Sequence, residues 1–342
     1  MSLTRLQSEA DKKRGVYYEV DTSRSMGKGG MGQVYHGFRV EKLSKIRKEV
    51  AIKFLFNDLP DRVIERARRE ALVQVKHEHL LLMYPFIETV DVINGHVVKH
   101  YHVASEFVDG VRLFDLIHGK VQNQTGQVAP QLQHLYDLYR NDRFSFAKKI
   151  ILQILYGVRA LHENEYIHRD LDPSNIMVDV KGRIKIIDYG IAKKLKDINT
   201  YDQDFTSTGE FIGKPAYASP ELVLGDIKSQ NYTTDIYAIG IILFQLVTGR
   251  FPFEGNTPQI IRQQVHEKMP VQLIPYHSIR KIVKKATEKN QNQRYQSVSE
   301  FIECVKKAKN HSNWDPLIIL KWVVFAIVFV ILGYVFSFFY IK

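Results

Sequence analysis

The stretch that decides how this chain folds is His168-Arg169-Asp170-Leu171-Asp172-Pro173-Ser174-Asn175, with Asp188-Tyr189-Gly190 following after a short interval. Between them, Ile176–Val180 and Arg183–Ile187 read as two short strands around Lys181-Gly182. A hairpin of that kind brings Asn175 and Asp188 to the same end. Both offer hard oxygens of the type Mg²⁺ prefers, and Asp170 is placed to accept the proton of an attacking hydroxyl. Taken singly, each is an ordinary turn residue, because Asp, Asn and Pro are common in turns. Their meaning depends on what precedes them.

Upstream, residues 27–34 read Gly-Lys-Gly-Gly-Met-Gly-Gln-Val, so Gly27, Gly29 and Gly32 satisfy a G-x-G-x-x-G spacing. In a dinucleotide-binding fold those glycines must open a helix. Here Val34-Tyr35-His36 begins another strand, so the glycines form a hairpin tip whose bare backbone amides suit phosphate oxygens. Val16–Ser25, Gln33–Val40 and Glu49–Leu55 read as strands and Asp61–Lys76 as a helix. Leu82–Val92 and His96–Phe107 read as a hairpin turning at Asn94-Gly95. Segment 16–108 is thus expected to be a five-stranded antiparallel sheet with one helix. Lys53 lies on the third strand and Glu70 on the helix, where a lysine–glutamate pair would hold an ammonium over phosphates. Glu65 is the rival partner, and Arg68-Arg69-Glu70-Ala71-Leu72 favours Glu70.

After Asp109-Gly110 the pattern becomes helical: Phe144–Asn164, the apolar Tyr232–Thr248, Ile279–Glu288 and Val298–Lys309. The polar, Gln-rich stretch 119–141 reads as an insertion, a mobile loop or, preferably, a plain surface linker.

The glycine tip, Lys53, Glu70, the 168–175 run and Asp188 recur in an order that resembles the eukaryotic-like (Hanks-type) protein kinases, most of all the bacterial serine/threonine kinases anchored by one transmembrane helix. The resemblance covers about residues 15–308. It implies an α+β, bilobal protein-kinase fold with an antiparallel N-lobe at 16–108 and a helical C-lobe at 109–310, after an N-terminal extension at 1–15. It implies ATP and Mg²⁺ (or Mn²⁺) as cofactors and transfer of the γ-phosphate to protein serine or threonine hydroxyls. On that reading Asp170, Lys53 and Glu70 are catalytic, and Asn175 and Asp188 hold the metal. Gly27, Lys28, Gly29, Gly30, Met31, Gly32, Val34, Ala51 and Lys53 line the nucleotide from one side. Ser105, Glu106 and Val108 form the hinge, with Ser105 at the gatekeeper position. Further matches are Gly213–Glu221 for the substrate-binding end of the activation segment, Asp235 for the buried aspartate that steadies the catalytic loop, and Arg294 as the partner of Glu221.

Three departures stand out. Asp172 occupies the place of a catalytic-loop lysine, which would limit turnover unless compensated. Lys214 replaces a threonine and could supply the missing cation. Tyr189 stands where phenylalanine is usual, and its hydroxyl needs a partner. Asp172 and Lys214 together warrant an alternative, a pseudokinase scaffold that binds nucleotide with weak transfer. A small-molecule kinase is a third reading, opposed by Pro220-Glu221 and Arg294. Arg169 suggests control by phosphorylation of Thr200, Thr206, Ser207 or Thr208.

Composition fits this picture. The 342 residues carry 48 Lys plus Arg against 37 Asp plus Glu, a net charge of +11, with one cysteine, Cys304. A lone cysteine excludes an internal disulfide, a zinc ribbon or an Fe–S cluster. Residues 1–15 show no secretory signal. From Trp322 to Ile341 run 20 residues without a charge, about the length of a membrane-spanning helix. The transmembrane helix is expected over 317–341, with lipid as its partner. Arg280 to Asn310 holds nine Lys or Arg and three Glu, so the positive-inside tendency places the kinase domain in the cytoplasm as a single-pass membrane protein. No nucleic-acid motif accompanies the charge. A homodimer is the expected arrangement for autophosphorylation.

Overall fold

The structure, a computed structural model, describes residues 3–189, 192–194 and 214–310, together with 324, 325, 327 and 328. Its first part is a six-stranded antiparallel sheet in the order β1-β2-β3-β4-β6-β5. The strands are β1 (Leu3–Leu6), β2 (Val16–Gly29), β3 (Gly32–Glu41), β4 (Ile46–Leu55), β5 (Ile87–Ile93) and β6 (His96–Glu106). Alternation places Tyr18, Val20, Val50, Ile52 and Ala104 in one small core together with Ile87, as period-2 patterning requires. Asn94 and Gly95 both adopt positive φ, 53° and 80°, the geometry of a two-residue hairpin loop.

Three expectations for this lobe are corrected. The 1–15 extension adds a strand and a helix to the lobe. Strand β1 pairs with β2 from Leu3 opposite Asp21 to Leu6 opposite Tyr18, and the helix α1 (Glu9–Arg14) carries a Ser8–Asp11 capping box. The sheet therefore has six strands, not five. The helix expected to reach Lys76 is α2 (Asp61–Leu72), because Val73 leaves the helical path and is buried. The strand expected from Leu82 begins only at Ile87. Pro85 has no amide to give a ladder, and Leu80 and Met83 make isolated bridges to Ile186 and Ser105 instead.

The second part is helical. It contains β7 (Gly110–Arg112), α3 (Leu113–Ile117), α4 (Pro130–Asn141), α5 (Arg143–Glu163), β8 (Tyr166–Ile167), β9 (Ile176–Asp179), β10 (Ile184–Ile186) and β11 (Lys193–Lys194). After these come α6 (Pro220–Val223), α7 (Tyr232–Thr248), α8 (Thr257–His266), α9 (His277–Ala286) and α10 (Val298–Lys307). Helix α7 is buried from Thr233 to Val247. It starts on an Asn231 capping box and stops at Gly249 in the left-handed conformation, which favours glycine. Helices α5, α7, α9 and α10 share one core that includes Ile150, Ile154, Ile239, Leu243, Val283 and Phe301. The preferred linker reading of 119–141 is overturned. Helix α4 occupies its second half, with Leu132, Leu135 and Tyr139 buried. Leu135 lies against Gly182 at the β9–β10 turn, so the inserted helix backs the hairpin that separates the two motifs.

The stretch read as membrane-spanning lies outside the described residues apart from Val324, Phe325, Ile327 and Val328, which are helical and exposed. Among the described residues no helix is long and apolar enough to cross a membrane. Gly190, Thr200, Thr206, Ser207, Thr208 and Gly213 also lie outside them.

Candidate active site

A cleft of about 560 Å³ opens between the two lobes. Gly27, Val34 and Ala51 form its roof, Ser105, Glu106 and Val108 its back, and Met177 and Ile187 its floor. Strand register explains the roof and back, because Ala51 pairs with Ser105 across β4 and β6. The Glu106 side chain bridges the lobes: its Oε1 accepts from the Leu82 amide at 2.8 Å and from Lys185 Nζ at 2.7 Å. Ser105 Oγ donates to the Glu106 carbonyl at 3.2 Å.

Lys28, Gly29, Gly30, Met31 and Gly32 form the tip of the β2–β3 hairpin, with Gly29 opposite Gly32. They do not border this cleft. Gly32 is required sterically, since a Cβ there would lie 2.1 Å from the Phe54 carbonyl oxygen. Gly29 and Gly30 face open space.

One wall escaped the sequence reading. Gln122 to Gly126 line the cleft mouth, held by the Gln124 amide donating to Asp109 Oδ1 at 3.1 Å and by Gln124 Nε2 donating to the Gly110 carbonyl at 2.8 Å. No period or motif marks that loop. The signal available was the Asn-Gln-Thr-Gly turn composition so soon after the hinge.

Strand β4 presents Lys53 opposite Val34 and Val103, and α2 turns Glu70 inward. Glu70 is buried and its Oε2 has no hydrogen-bond partner. Burial pushes its carboxyl from 4.5 up to about 7; Lys53 and Arg66 pull it back and Asp188 adds to the rise. Lys53 thus acts on Glu70 at a distance, with no ion pair between them among the described residues. Glu65, the rival, is exposed and paired to Arg68 at 3.5 Å.

The 168–175 run is anchored from below by Asp235, which is fully buried on α7. It accepts the His168 and Arg169 amides, each at 2.9 Å, and contacts His162 Nε2 at 2.8 Å. Burial alone would raise the Asp235 carboxyl, yet His162 and His168 hold it below the ordinary carboxylate range. Arg169 and Asp188 both adopt positive φ, 70° and 64°. That conformation is uncommon outside glycine and concentrates at functional sites. Asn175 Nδ2 donates to the Asp170 carbonyl at 2.8 Å and to Asp170 Oδ2 at 3.0 Å. Fixing the amide nitrogen on Asp170 directs the amide oxygen of Asn175 elsewhere. Asp170 is pushed above its usual range by burial, with His168 opposing and Asp188 and Asp172 reinforcing the shift. An Asn oxygen beside mutually repelling carboxylates is a donor set that fits a hard divalent cation. Tyr189 is fully buried, and its hydroxyl donates to the Ile186 carbonyl at 3.0 Å and the Leu81 carbonyl at 3.4 Å. The partner required by that hydroxyl is therefore supplied by backbone.

Lys214 Nζ pairs with Asp172 Oδ1 at 2.9 Å and also meets Ser174 Oγ. Deeper in the lobe, Arg294 clasps Glu221 in a two-point pair at 2.8 and 2.9 Å, with Thr234 Oγ1 donating to the same carboxylate.

A comparison with protein families matches the protein kinase domain over residues 20–313. Among curated relatives, the chain is similar to the probable serine/threonine-protein kinase PknB of Lactococcus lactis, 33% identical over 289 residues, covering 82% of this chain and 40% of that protein. It is 30% identical over 295 residues to the serine/threonine-protein kinase PrkC of Bacillus subtilis, covering 83% of this chain and 40% of that one. It is also 30% identical over 303 residues to PksC of Streptomyces coelicolor, covering 86% and 50% respectively. The chain spans 40 to 50% of the length of these relatives. It belongs to the protein kinase family.

Proposed function

We propose that this chain is a serine/threonine protein kinase that transfers the ATP γ-phosphate to protein hydroxyls. The observation that carries this reading is the Asp170–Asn175 pair, built on a loop whose backbone is fixed by buried Asp235. The lobes divide at 108/109, and the adenine edge meets the backbone of Glu106 and Val108 beneath Val34 and Ala51. The hairpin tip from Gly27 to Gly32 covers the phosphates, and Lys53, oriented by Glu70, grips them. Asp188 and Asn175 hold Mg²⁺, which neutralises phosphate charge when bound. Asp170 orients the acceptor hydroxyl and takes its proton. Catalysis is then mostly positioning and charge stabilisation.

The uncharged run from Trp322 to Ile341 anchors the kinase in a bilayer, with the basic block before it on the cytoplasmic side. Phosphorylation within a homodimer is the expected route of self-modification. The test is transfer from γ-labelled ATP by the full chain in Mg²⁺, with the labelled residues mapped. Serine or threonine labelling that Lys53→Ala and Asp170→Asn abolish is the expected result. Nucleotide binding without any transfer would replace this reading with the scaffold one.

A further inference from the structure

The catalytic loop carries an anion, Asp172, where the family places a cation, and the structure shows what that anion does. Asp172 is 3% exposed. Its Oδ1 accepts the Ser174 amide at 2.6 Å and the Lys214 ammonium at 2.9 Å. The same Lys214 nitrogen meets Ser174 Oγ. An ammonium has three protons to give. Two are directed at Asp172 and Ser174. The side chain is half exposed, and Lys214 lines the same small opening as Asp170, Asp172 and Tyr217.

Charge makes the placement consequential. Asp170 and Asp172 line the same opening, so it would repel a polyanion if Asp172 stood without a counter-charge. Lys214 offsets Asp172 and keeps a donor for a further oxygen. We propose that the two segments have exchanged charges: Lys214, from the activation segment, supplies the cation that faces the transferred phosphoryl group, and Asp172 is the post that positions it. This rests on the kinase reading above. In the step, the acceptor oxygen bonds to the γ-phosphorus and the bond to the β–γ bridging oxygen breaks. That electron pair leaves on ADP, and the hydroxyl proton passes to Asp170. Lys214 gives and takes no proton; it balances charge on the non-bridging oxygens.

The exchange changes what controls the cation. A catalytic-loop lysine would be fixed by the Asp235 anchor. Lys214 instead leads into Pro215-Ala216-Tyr217, docked on the lobe by Gln264 Nε2 donating to the Pro215 and Ala216 carbonyls at 3.1 and 2.8 Å and by Tyr217 donating to Gln245 at 2.7 Å. The charge at the reacting centre is therefore completed only when this run is seated.

The test compares full-length wild type, Lys214→Ala, Lys214→Met and the reciprocal double variant Asp172→Lys/Lys214→Thr. Initial rates on a serine/threonine protein substrate give kcat, and titrations give affinities for ADP and a non-hydrolysable ATP analogue. Loss of one transition-state donor predicts that Lys214→Ala and Lys214→Met lower kcat about 10- to 100-fold. Both should keep ADP affinity and lose about fivefold or more of the preference for the triphosphate analogue. The double variant should recover kcat to within about tenfold of wild type. Single variants within about threefold of wild-type kcat overturn the proposal. So does a kcat loss that the double variant fails to restore with the triphosphate preference unchanged, which marks the pair as a structural tie. If Lys214→Ala fails to bind ADP, Lys214→Met and the double variant decide the matter by the same criteria. A wild type without transfer would sink the kinase reading itself, a different result from a wild type whose activity ignores Lys214.

Discussion

Replacing Glu70 with Gln removes a carboxyl that the fold buries without a hydrogen-bond partner for its Oε2, and the pH dependence of folding should register the change. Burial raises that carboxyl from 4.5 to about 7, with Lys53 only partly opposing. A raised carboxyl binds its proton more tightly in the native state than in the unfolded one. Stability therefore falls as pH rises from 4.5 to about 7, and above that the full penalty applies. At about 1.4 kcal/mol per pH unit the full penalty is about 3 kcal/mol. The group is buried, so solvent screening takes little from it. Between about pH 5.5 and about pH 8.5 the wild type should lose about 2 kcal/mol more than Glu70→Gln. Any clash or unmet donor introduced by the amide is the same at both pH values and drops out of the comparison. Urea denaturation of both proteins at the two pH values, with m-values checked for constancy, measures it. Parallel stability-versus-pH curves would refute the argument and mean that Lys53 neutralises Glu70 far more closely than the structure has it.

Arg294→Ala strands the Glu221 carboxylate, and breaking such a buried pair should cost about 3–5 kcal/mol in a denaturant titration; a loss below about 1 kcal/mol would contradict the buried two-point geometry. Gly32→Ala drives a Cβ into the Phe54 carbonyl and should cost about 1–3 kcal/mol, while Gly29→Ala, facing open space, should stay within about 1 kcal/mol of wild type; equal effects would show that the tip tolerates side chains uniformly. Leu135→Ala should cost about 2–5 kcal/mol because α4 is part of the core, whereas the change within about 0.5 kcal/mol expected of a surface linker would overturn that placement.

The backbone of the candidate site was largely legible in the sequence because it depends on short motifs with fixed local geometry. The glycine tip, the hairpin between Asn175 and Asp188, and the Asn94-Gly95 turn each specify their own backbone. What escaped needed contacts made elsewhere. Helix α4 buries Leu132, Leu135 and Tyr139 at helical spacing, but Gln, His and Asp between them dilute the period. Strand β1 and helix α1 are too short for periodicity to speak, and β1 exists only because β2 offers an edge. Pro85, with no amide to donate, delays the following strand to Ile87. That Asp172 and Lys214 belong together is suggested by the sequence; that their side chains meet at 2.9 Å is shown only by the fold, because the two segments are distant in the chain.

The buried hydroxyl of Tyr189 has a pharmacological consequence. Any ligand that displaced this ring would have to draw it out of the core in which it is buried. Here departure strips the hydroxyl from the carbonyls of Ile186 and Leu81, at about 1–3 kcal/mol if the acceptors stay dry. A phenylalanine at the same place imposes no such toll. Inhibitor scaffolds that displace the ring should therefore discriminate against this protein, and those that leave it seated should not.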